Sequence, residues 1–328
     1  MATTPEDRLT GWLRRKVATR GVDLIGDDAA FVPTPGEQIA VTVDQQIAGV
    51  HFPEHLEPRT IGKRLVLVNL SDVAAIGGLP AFGFLALASP PSRPVREILR
   101  AAEETLAAHG AVLAGGDMAS GKQLTMSLTL LARRRPRTRW VTRSAARPGD
   151  SLWIGDAVGL SALGQRLLAT GSRFQGGRVL LELDERTSKE TRRCAQRAIL
   201  HHVAPRPQLE LGAWLSRRRR TAAIDVSDGL LLDLERLCRA SGVGAVLEAS
   251  QLPTAAGFAD AARLVQANPD ELALSGGEDY VLLFALPPTL QPPRELGAVR
   301  IGSIRRRPGI DLRGAARPRT GGWDHLES

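Results

Sequence analysis

The sequence predicts an α+β protein of two domains, and three observations lead there. The chain has 328 residues, enough for two domains of ordinary size. Apolar, β-branched runs that read as strands and periodic stretches that read as helices occur in both halves, without the strict strand–helix alternation of a doubly wound sheet. A basic segment bearing Pro136, Pro148 and Gly149, from Arg133 to Gly149, separates the halves. The predicted domains are residues 1–140 and 141–328.

The elements follow in order. Thr4 to Arg20 reads as a short amphipathic helix, followed by a Gly26-Asp27-Asp28 loop. Ile39 to Val43 is a buried strand that ends at Asp44. Thr60 to Ala75 is a helix whose Asn69, Ser71 and Asp72 are set inside an otherwise apolar segment. Ala81 to Ala88 is a strand, and Pro94 to His109 a helix stopped by Gly110. Ala111 to Ala114 is a strand that runs into Gly115-Gly116-Asp117. Leu124 to Ala132 alternates Thr and Ser with Leu and Met, which suits a strand with one polar face. In the second half Ser151 to Gly155 is a strand, Gly159 to Thr170 a helix, and two more helical stretches reach about Arg220. Thr221 to Val226 is a strand carrying Asp225, and Ser227 reads as the N-cap of a helix through Leu234. Leu272 to Tyr280 leads into the strand Val281 to Ala285.

Composition narrows the class. Hydrophobic residues make up 43%, as in a globular protein with a real core, and no window holds the ~18 apolar residues of a membrane span. The N-terminus has no basic region followed by an apolar stretch, which argues against a secretory signal. Cys194 and Cys238 form neither a disulfide framework nor a metal pattern and read as helix-buried thiols. A cytoplasmic location fits these features. The net charge is +8, with arginine runs at Arg133–Arg135, Arg217–Arg220 and Arg305–Arg307. No aromatic residues interleave them, so a nucleic-acid platform has little support, and they read as solvated surface.

The chemistry is carried by aspartates. Asp27, Asp28, Asp44, Asp72, Asp117, Asp225 and Asp228 lie beside glycine, at a strand end or in an apolar segment, where unpaired carboxylates are costly. Any one alone reads as a turn or cap. Together they favour a shared site for magnesium, a hard cation that joins carboxylates to phosphate oxygens. Gly115-Gly116 and Gly276-Gly277 let backbone amides approach a phosphate. Gly116 to Lys122 has P-loop spacing, but Gln123 replaces the Ser or Thr and a strand pattern follows, so a P-loop is rejected. For His51, the pattern leaves metal ligand, substrate contact and satisfied core residue all open.

Several segments, in order and across nearly the whole chain, resemble thiamine-monophosphate kinases, in the superfamily that also holds aminoimidazole-ribonucleotide synthetase and selenophosphate synthetase. They are Ile25 to Ala30, Val41 to Asp44, Gly49 to Phe52, Val68 to Ala75, Gly115 to Asp117, Thr142 to Ser144 with Pro148 to Asp150, Asp225 to Leu230, Leu274 to Tyr280 and Gly322 to His325. The runs Val68 to Ala75 and Ser275 to Tyr280 are the specific ones.

The resemblance implies an N-terminal mixed sheet with helices on one face, a C-terminal α/β sandwich, and a homodimer paired through the N-terminal domains. It implies ATP as co-substrate and thiamine monophosphate as acceptor. It assigns several magnesium ions to Asp28, Thr42, the Val43 backbone, Asp44, Asp72, Asp117, Asp225 and Asp228. It assigns nucleotide contacts to Gly116, Asp117, Arg143, Ser227 and His109, and substrate contacts to His51, Glu278 and Trp323. Asp44, Asp72, Arg143 and Asp228 form the implied catalytic set. The chain departs from the family pattern at Met118-Ala119-Ser120-Gly121, at Leu160, where the family has Asp, and at His109, where an aromatic residue is common. Another ATP-using member of the superfamily, or a non-catalytic nucleotide- or thiamine-binding sensor, stays open as an alternative.

Overall fold

In the computed structural model, which describes residues 4–18, 26–318, 322 and 323, the two halves build separate sheets. The first half contains α1 (Pro5–Ala18), β1 (Ala30–Thr34), β2 (Glu37–Ile47), α2 (Pro58–Ala75), β3 (Leu79–Ser89), α3 (Val95–Ala108), β4 (Val112–Ser120) and β5 (Thr125–Arg133). Its strands lie in the order β1-β2-β5-β3-β4, with β3 and β4 parallel and every other pair antiparallel. The sheet is therefore mixed. Alternation along β5 buries Met126, Leu128 and Leu130 and leaves Ser127 and Thr129 half-exposed, as its sequence pattern predicts.

The second half contains β6 (Ser151–Ile154), α4 (Leu160–Ala169), β7 (Arg173–Gln175), β8 (Arg178–Leu180), α5 (Lys189–Val203), α6 (Leu209–Ser216), β9 (Ala222–Asp225) and α7 (Leu230–Ser241). These are followed by β10 (Gly244–Glu248), α8 (Phe258–Leu264), α9 (Pro269–Ser275), β11 (Leu282–Leu286), β12 (Val299–Arg305) and β13 (Gly309–Arg313). The six-stranded order is β13-β10-β12-β6-β11-β9, and β7 and β8 form a separate hairpin.

Helix α2 joins the halves. It opens at Pro58, where a missing N–H costs nothing, and is buried on almost every side. It contacts β2, β5 and α3 of its own half and α5, α6, β9 and β11 of the other. Two glycines allow the close approach. A Cβ on Gly62 would sit 2.1 Å from the Ile98 carbonyl oxygen of α3, and one on Gly212 of α6 would sit 2.0 Å from that of Ala74. The main core runs continuously from one sheet to the other past this helix.

Several boundaries differ from the sequence reading. β2 continues to Ile47, so Asp44 lies inside the strand, and Gly115, Gly116 and Asp117 lie within β4 rather than in a loop after it. Helix α7 starts at Leu230, and Ser227 does not cap it. β1, the β7–β8 hairpin, β10, β12, β13, α8 and α9 went unread, most of them too short to show a period. Residues 19, 20 and 25 and the tail residues Asp324 and His325 lie outside the described residues. Cys194 and Cys238 are buried on α5 and α7, where burial pushes their thiols up to about 11 and about 12. No described helix is long and apolar enough to cross a membrane.

Candidate active site

Three carboxylates converge where the two sheets meet. Asp28 precedes β1, Asp72 projects from the last turn of α2 and Asp225 ends β9. One oxygen from each lies within 4.8 Å of the others. The surrounding polar groups explain how they are held. On β2, the two-residue period turns Thr42 and Asp44 toward α2 and leaves Val43 56% exposed on the other face. The Thr42 hydroxyl donates to the Asp72 carboxylate, and the Asp44 N–H donates to Asn69 Oδ1 at 3.2 Å. Asn69 and Asp72 share one face of α2 because they are three residues apart. The Asp225 N–H donates to Asp28 Oδ1 at 3.4 Å.

One guanidinium serves this group. Arg143 Nε and Nη2 each donate to an Asp28 oxygen at 3.0 Å, a two-pronged pairing, while the Arg143 N–H donates to Asp27 Oδ2 at 3.2 Å. Burial by itself would lower the Arg143 pKa, but Asp28, Asp27 and Asp225 outweigh it and hold the guanidinium charged. The aspartates fare differently. Burial, then the neighbouring Asp44, Asp225 and Asp28, pushes Asp72 well above the usual carboxylate range. Burial and Asp28 do the same to Asp225, and burial with Asp28 lifts Asp27 to about 7. Excess negative charge in a buried pocket suits a hard dication.

Beside this cluster the chain turns from β9 into α7. Asp233, on the first turn of α7, accepts the N–H groups of Ser227, Asp228 and Gly229 at 3.1, 3.0 and 3.1 Å. It thereby shapes the loop that carries Ser227 and Asp228. Arg236 donates to the carboxylates of both Asp228 and Asp233. Trp323 is placed next to Asp228, its N–H donating to the Asp228 carbonyl at 2.8 Å, with its side chain 45% exposed.

Glu278 reaches the same loop, its N–H donating to the Ser227 carbonyl at 2.6 Å. Its carboxylate is bound by Arg64 Nη2 at 2.6 Å, and Arg64 is fully buried on α2. His51 follows β2, and its Nδ1 accepts the Ile47 N–H at 3.0 Å, which leaves the ring proton on Nε2 if the ring is neutral. Asp279, adjacent to Glu278, caps α4 by accepting the N–H groups of Gly159 and Ser161.

Other expected residues stand apart. Gly116 has φ +155°, and a Cβ there would lie 1.8 Å from the Leu85 carbonyl oxygen, so β4 admits no side chain at this point. Asp117 is exposed on β4, an edge strand separated from β2 by β5 and β3, and is not among the three converging carboxylates. His109 ends α3 with Nδ1 2.8 Å from the Thr105 carbonyl oxygen. No helix follows Gly121; β5 does, in keeping with the rejected P-loop.

Residues 26–133 match the family model "AIR synthase related protein, N-terminal domain". The chain is 37% identical to the thiamine-monophosphate kinase of Synechococcus elongatus over 303 residues, covering 88% of this chain and 86% of that protein. The chain belongs to the thiamine-monophosphate kinase family. It is also similar to a solved structure of AaThiL complexed with AMPPCP and TMP, with TM-score 0.83 and 26% identity over 99% of this chain and 100% of that one. The crystal structure of thiamine monophosphate kinase from Aquifex aeolicus matches with TM-score 0.77 and 26% identity over 93% and 95% of the two chains.

Within the thiamine-monophosphate kinase framework, Asp28, Thr42, Asp72, Arg143 and Asp225 form one contact group, Asp44 is tied to α2 through Asn69, and Ser227, Asp228, Glu278 and Trp323 adjoin the group through the β9–α7 loop. Sequence reasoning missed Asp233, Arg236, Arg64 and His202 as parts of this framework. Asp233 and Arg64 carried a readable signal: each is a charged residue inside an apolar helical run, the same signal that singled out Asp72.

Proposed function

We propose that this chain transfers the γ-phosphoryl group of ATP to thiamine monophosphate, giving thiamine diphosphate and ADP with the help of several magnesium ions. The convergence of Asp28, Asp72 and Asp225 from both halves of the chain carries the reading. The donors are hard oxygens crowded together with one guanidinium, which fits a dication better than it fits protein alone. Asp28, Asp44, Asp72 and Asp225 would hold the first ion, with Thr42, the Val43 backbone, Asp117 and Asp228 completing the set. Magnesium supplies charge neutralisation and ties the carboxylates to phosphate oxygens.

The rest falls to the chain's own groups. Arg143, kept charged by its carboxylate neighbours, adds positive charge where the transferred group carries negative charge. The bond between the β- and γ-phosphates breaks, ADP leaves with the electron pair, and an oxygen of thiamine monophosphate forms the new bond. That oxygen is already ionised at neutral pH, so no general base is needed. Gly116 lets β4 lie against the Leu85 carbonyl, and the nucleotide contacts are assigned to Gly116, Asp117, Ser227 and His109. Trp323 offers a flat, half-exposed face to a cationic ring, and His51 and Glu278 complete the acceptor side.

We place the domain boundary at residues 140 and 141 and read the protein as a homodimer. Helices α2 and α3 cover one face of the first sheet, while Phe82, Phe84, Val43 and Val112 are exposed on its outer side. Phe84 and Val43 both flank Thr129 across the strands, so the apolar surface is continuous there and suits a second copy.

A coupled ADP-release assay with thiamine monophosphate, thiamine and aminoimidazole precursors, with and without millimolar magnesium, tests the reading. Magnesium-dependent turnover of thiamine monophosphate is expected. Its absence would sink the kinase assignment and favour the sensor.

A further inference from the structure

The polar cluster around Arg64 is a second buried site on the seam, and the phosphoryl chemistry does not use it. Arg64 Nε donates to Gln46 Oε1 at 3.1 Å, Nη2 to Glu278 Oε1 at 2.6 Å, and Nη1 to the His202 carbonyl at the end of α5. The other carboxylate oxygen, Glu278 Oε2, lies 3.4 Å from His202 Nδ1. His202 is fully buried; burial and the nearby Arg64 hold its pKa well below the usual histidine value, so the ring is neutral. Ser161 Oγ lies 3.0 Å from the same Nδ1 and pairs with it; a carboxylate cannot donate, so a proton on Nδ1 is the tautomer compatible with Glu278 Oε2 at 3.4 Å.

The backbone is held as firmly as the carboxylate. Glu278 has φ +66° and Tyr280 φ +51°, left-handed conformations that persist at non-glycine residues only where the surroundings over-determine them. The Tyr280 N–H donates to the Val226 carbonyl at 2.8 Å, and Ser71 of α2 donates to the Tyr280 carbonyl at 3.4 Å. A well-packed apolar residue would fill the Arg64 position at less cost in desolvation. Yet the Glu278 side chain remains 20% exposed while Arg64 grips one of its oxygens and His202 lies 3.4 Å from the other.

We propose that Arg64 and His202 are positioning residues that fix the Glu278 carboxylate to recognise the cationic thiamine moiety of the acceptor, and so set the enzyme's selectivity for its acceptor rather than for ATP. This rests on the reading of Glu278 as a substrate contact. The carboxylate presents fixed lone pairs to a moiety that carries a positively charged thiazolium ring and, on its aminopyrimidine ring, an amine donor, and its orientation comes from α2 and α5.

The test is the KM for thiamine monophosphate and for ATP, measured separately, in Glu278→Gln, Arg64→Lys, His202→Leu and His202→Asn, and in each of the first three substitutions combined pairwise. Glu278→Gln is expected to raise the acceptor KM about tenfold, the loss of a hydrogen bond to a charged group, and to leave the ATP KM within about twofold. Arg64→Lys and His202→Leu should do the same, and should add less than about twofold in the Glu278→Gln background. His202→Asn should recover most of the loss, because its amide N–H can stand for Nδ1–H. If Arg64→Lys fails to fold, the two His202 variants decide alone. An unchanged acceptor KM in Glu278→Gln overturns the substrate contact and the positioning role together. A raised acceptor KM in Glu278→Gln, with multiplicative effects or equal losses for both substrates in the Arg64 and His202 variants, overturns positioning and leaves the contact standing.

Discussion

The Asp28–Asp72–Asp225 cluster and the Arg64–Glu278–His202 cluster share helix α2 and the same seam between the sheets, yet they balance charge in opposite ways. In the first, Asp27, Asp28, Asp72 and Asp225 face Arg143, and burial with mutual repulsion pushes three of the four carboxyls upward. In the second, one carboxylate meets a full guanidinium at 2.6 Å and a neutral histidine at 3.4 Å, one beside each oxygen. Buried charge that the protein leaves unbalanced marks a place for a ligand of opposite sign. Buried charge that it balances itself marks a scaffold.

Removing charge from each cluster should separate them. Asp72→Asn or Asp225→Asn is expected to lower turnover by about a thousandfold, while the metal-free Tm stays level or rises because a repulsion is relieved. ADP release and thermal melts check this; near-normal turnover in both would mean that the cluster is misplaced. A further buried carboxyl, Asp279 beside Glu278, should respond in stability. Burial pushes Asp279 up to about 7 from an ordinary value of 3.8. Its folded-state pKa is therefore raised, so its contribution to stability is present below pH 4 and lost as pH rises toward 7, on the order of 4 kcal/mol in all. Urea unfolding of Asp279→Asn should show a shallower decline with pH than the parent; parallel profiles would reject the shift.

Asp233→Ala is expected to cost about 3 kcal/mol in urea unfolding, because three backbone N–H groups lose their acceptor at once. A loss under 1 kcal/mol would mean that water replaces the carboxylate. Magnesium at about a hundred times its Kd should stabilise the parent by about 2.7 kcal/mol and the Asp72→Asn/Asp225→Asn double variant by far less. Equal stabilisation of the two proteins would place the ions elsewhere. Trp323→Ala should have the smallest effect, about 1 kcal/mol in acceptor affinity, seen as a few-fold rise in the KM for thiamine monophosphate. An unchanged KM would remove Trp323 from the acceptor site.

Much of the fold was legible in its long elements. Helix α3 and strand β5 show their period, while α2, β2 and β3 read as apolar runs, and each lies within a few residues of where the sequence puts it. Strands such as β10 and β13, with five residues each, show no clear period and take their identity from the partner beside them. The boundary at Ser227 was misread because an N-cap signature depends only on residue type. The Ser227, Asp228 and Gly229 amides are gathered instead by Asp233, from inside the helix.

By itself the sequence determined which residues are out of place: aspartates in apolar segments, glycines where a backbone must come close, and a run of motifs in a fixed order. Those are local properties of residue type and spacing, and they survive without coordinates. Only the tertiary structure decided which of the misplaced charges meet. It brought Asp28, Asp72 and Asp225 together from positions far apart in the chain and left Asp117 exposed on an edge strand. It also gave Glu278 to Arg64, a residue 214 positions away. Coulomb and desolvation energies depend on distance and burial, and no sequence pattern states either.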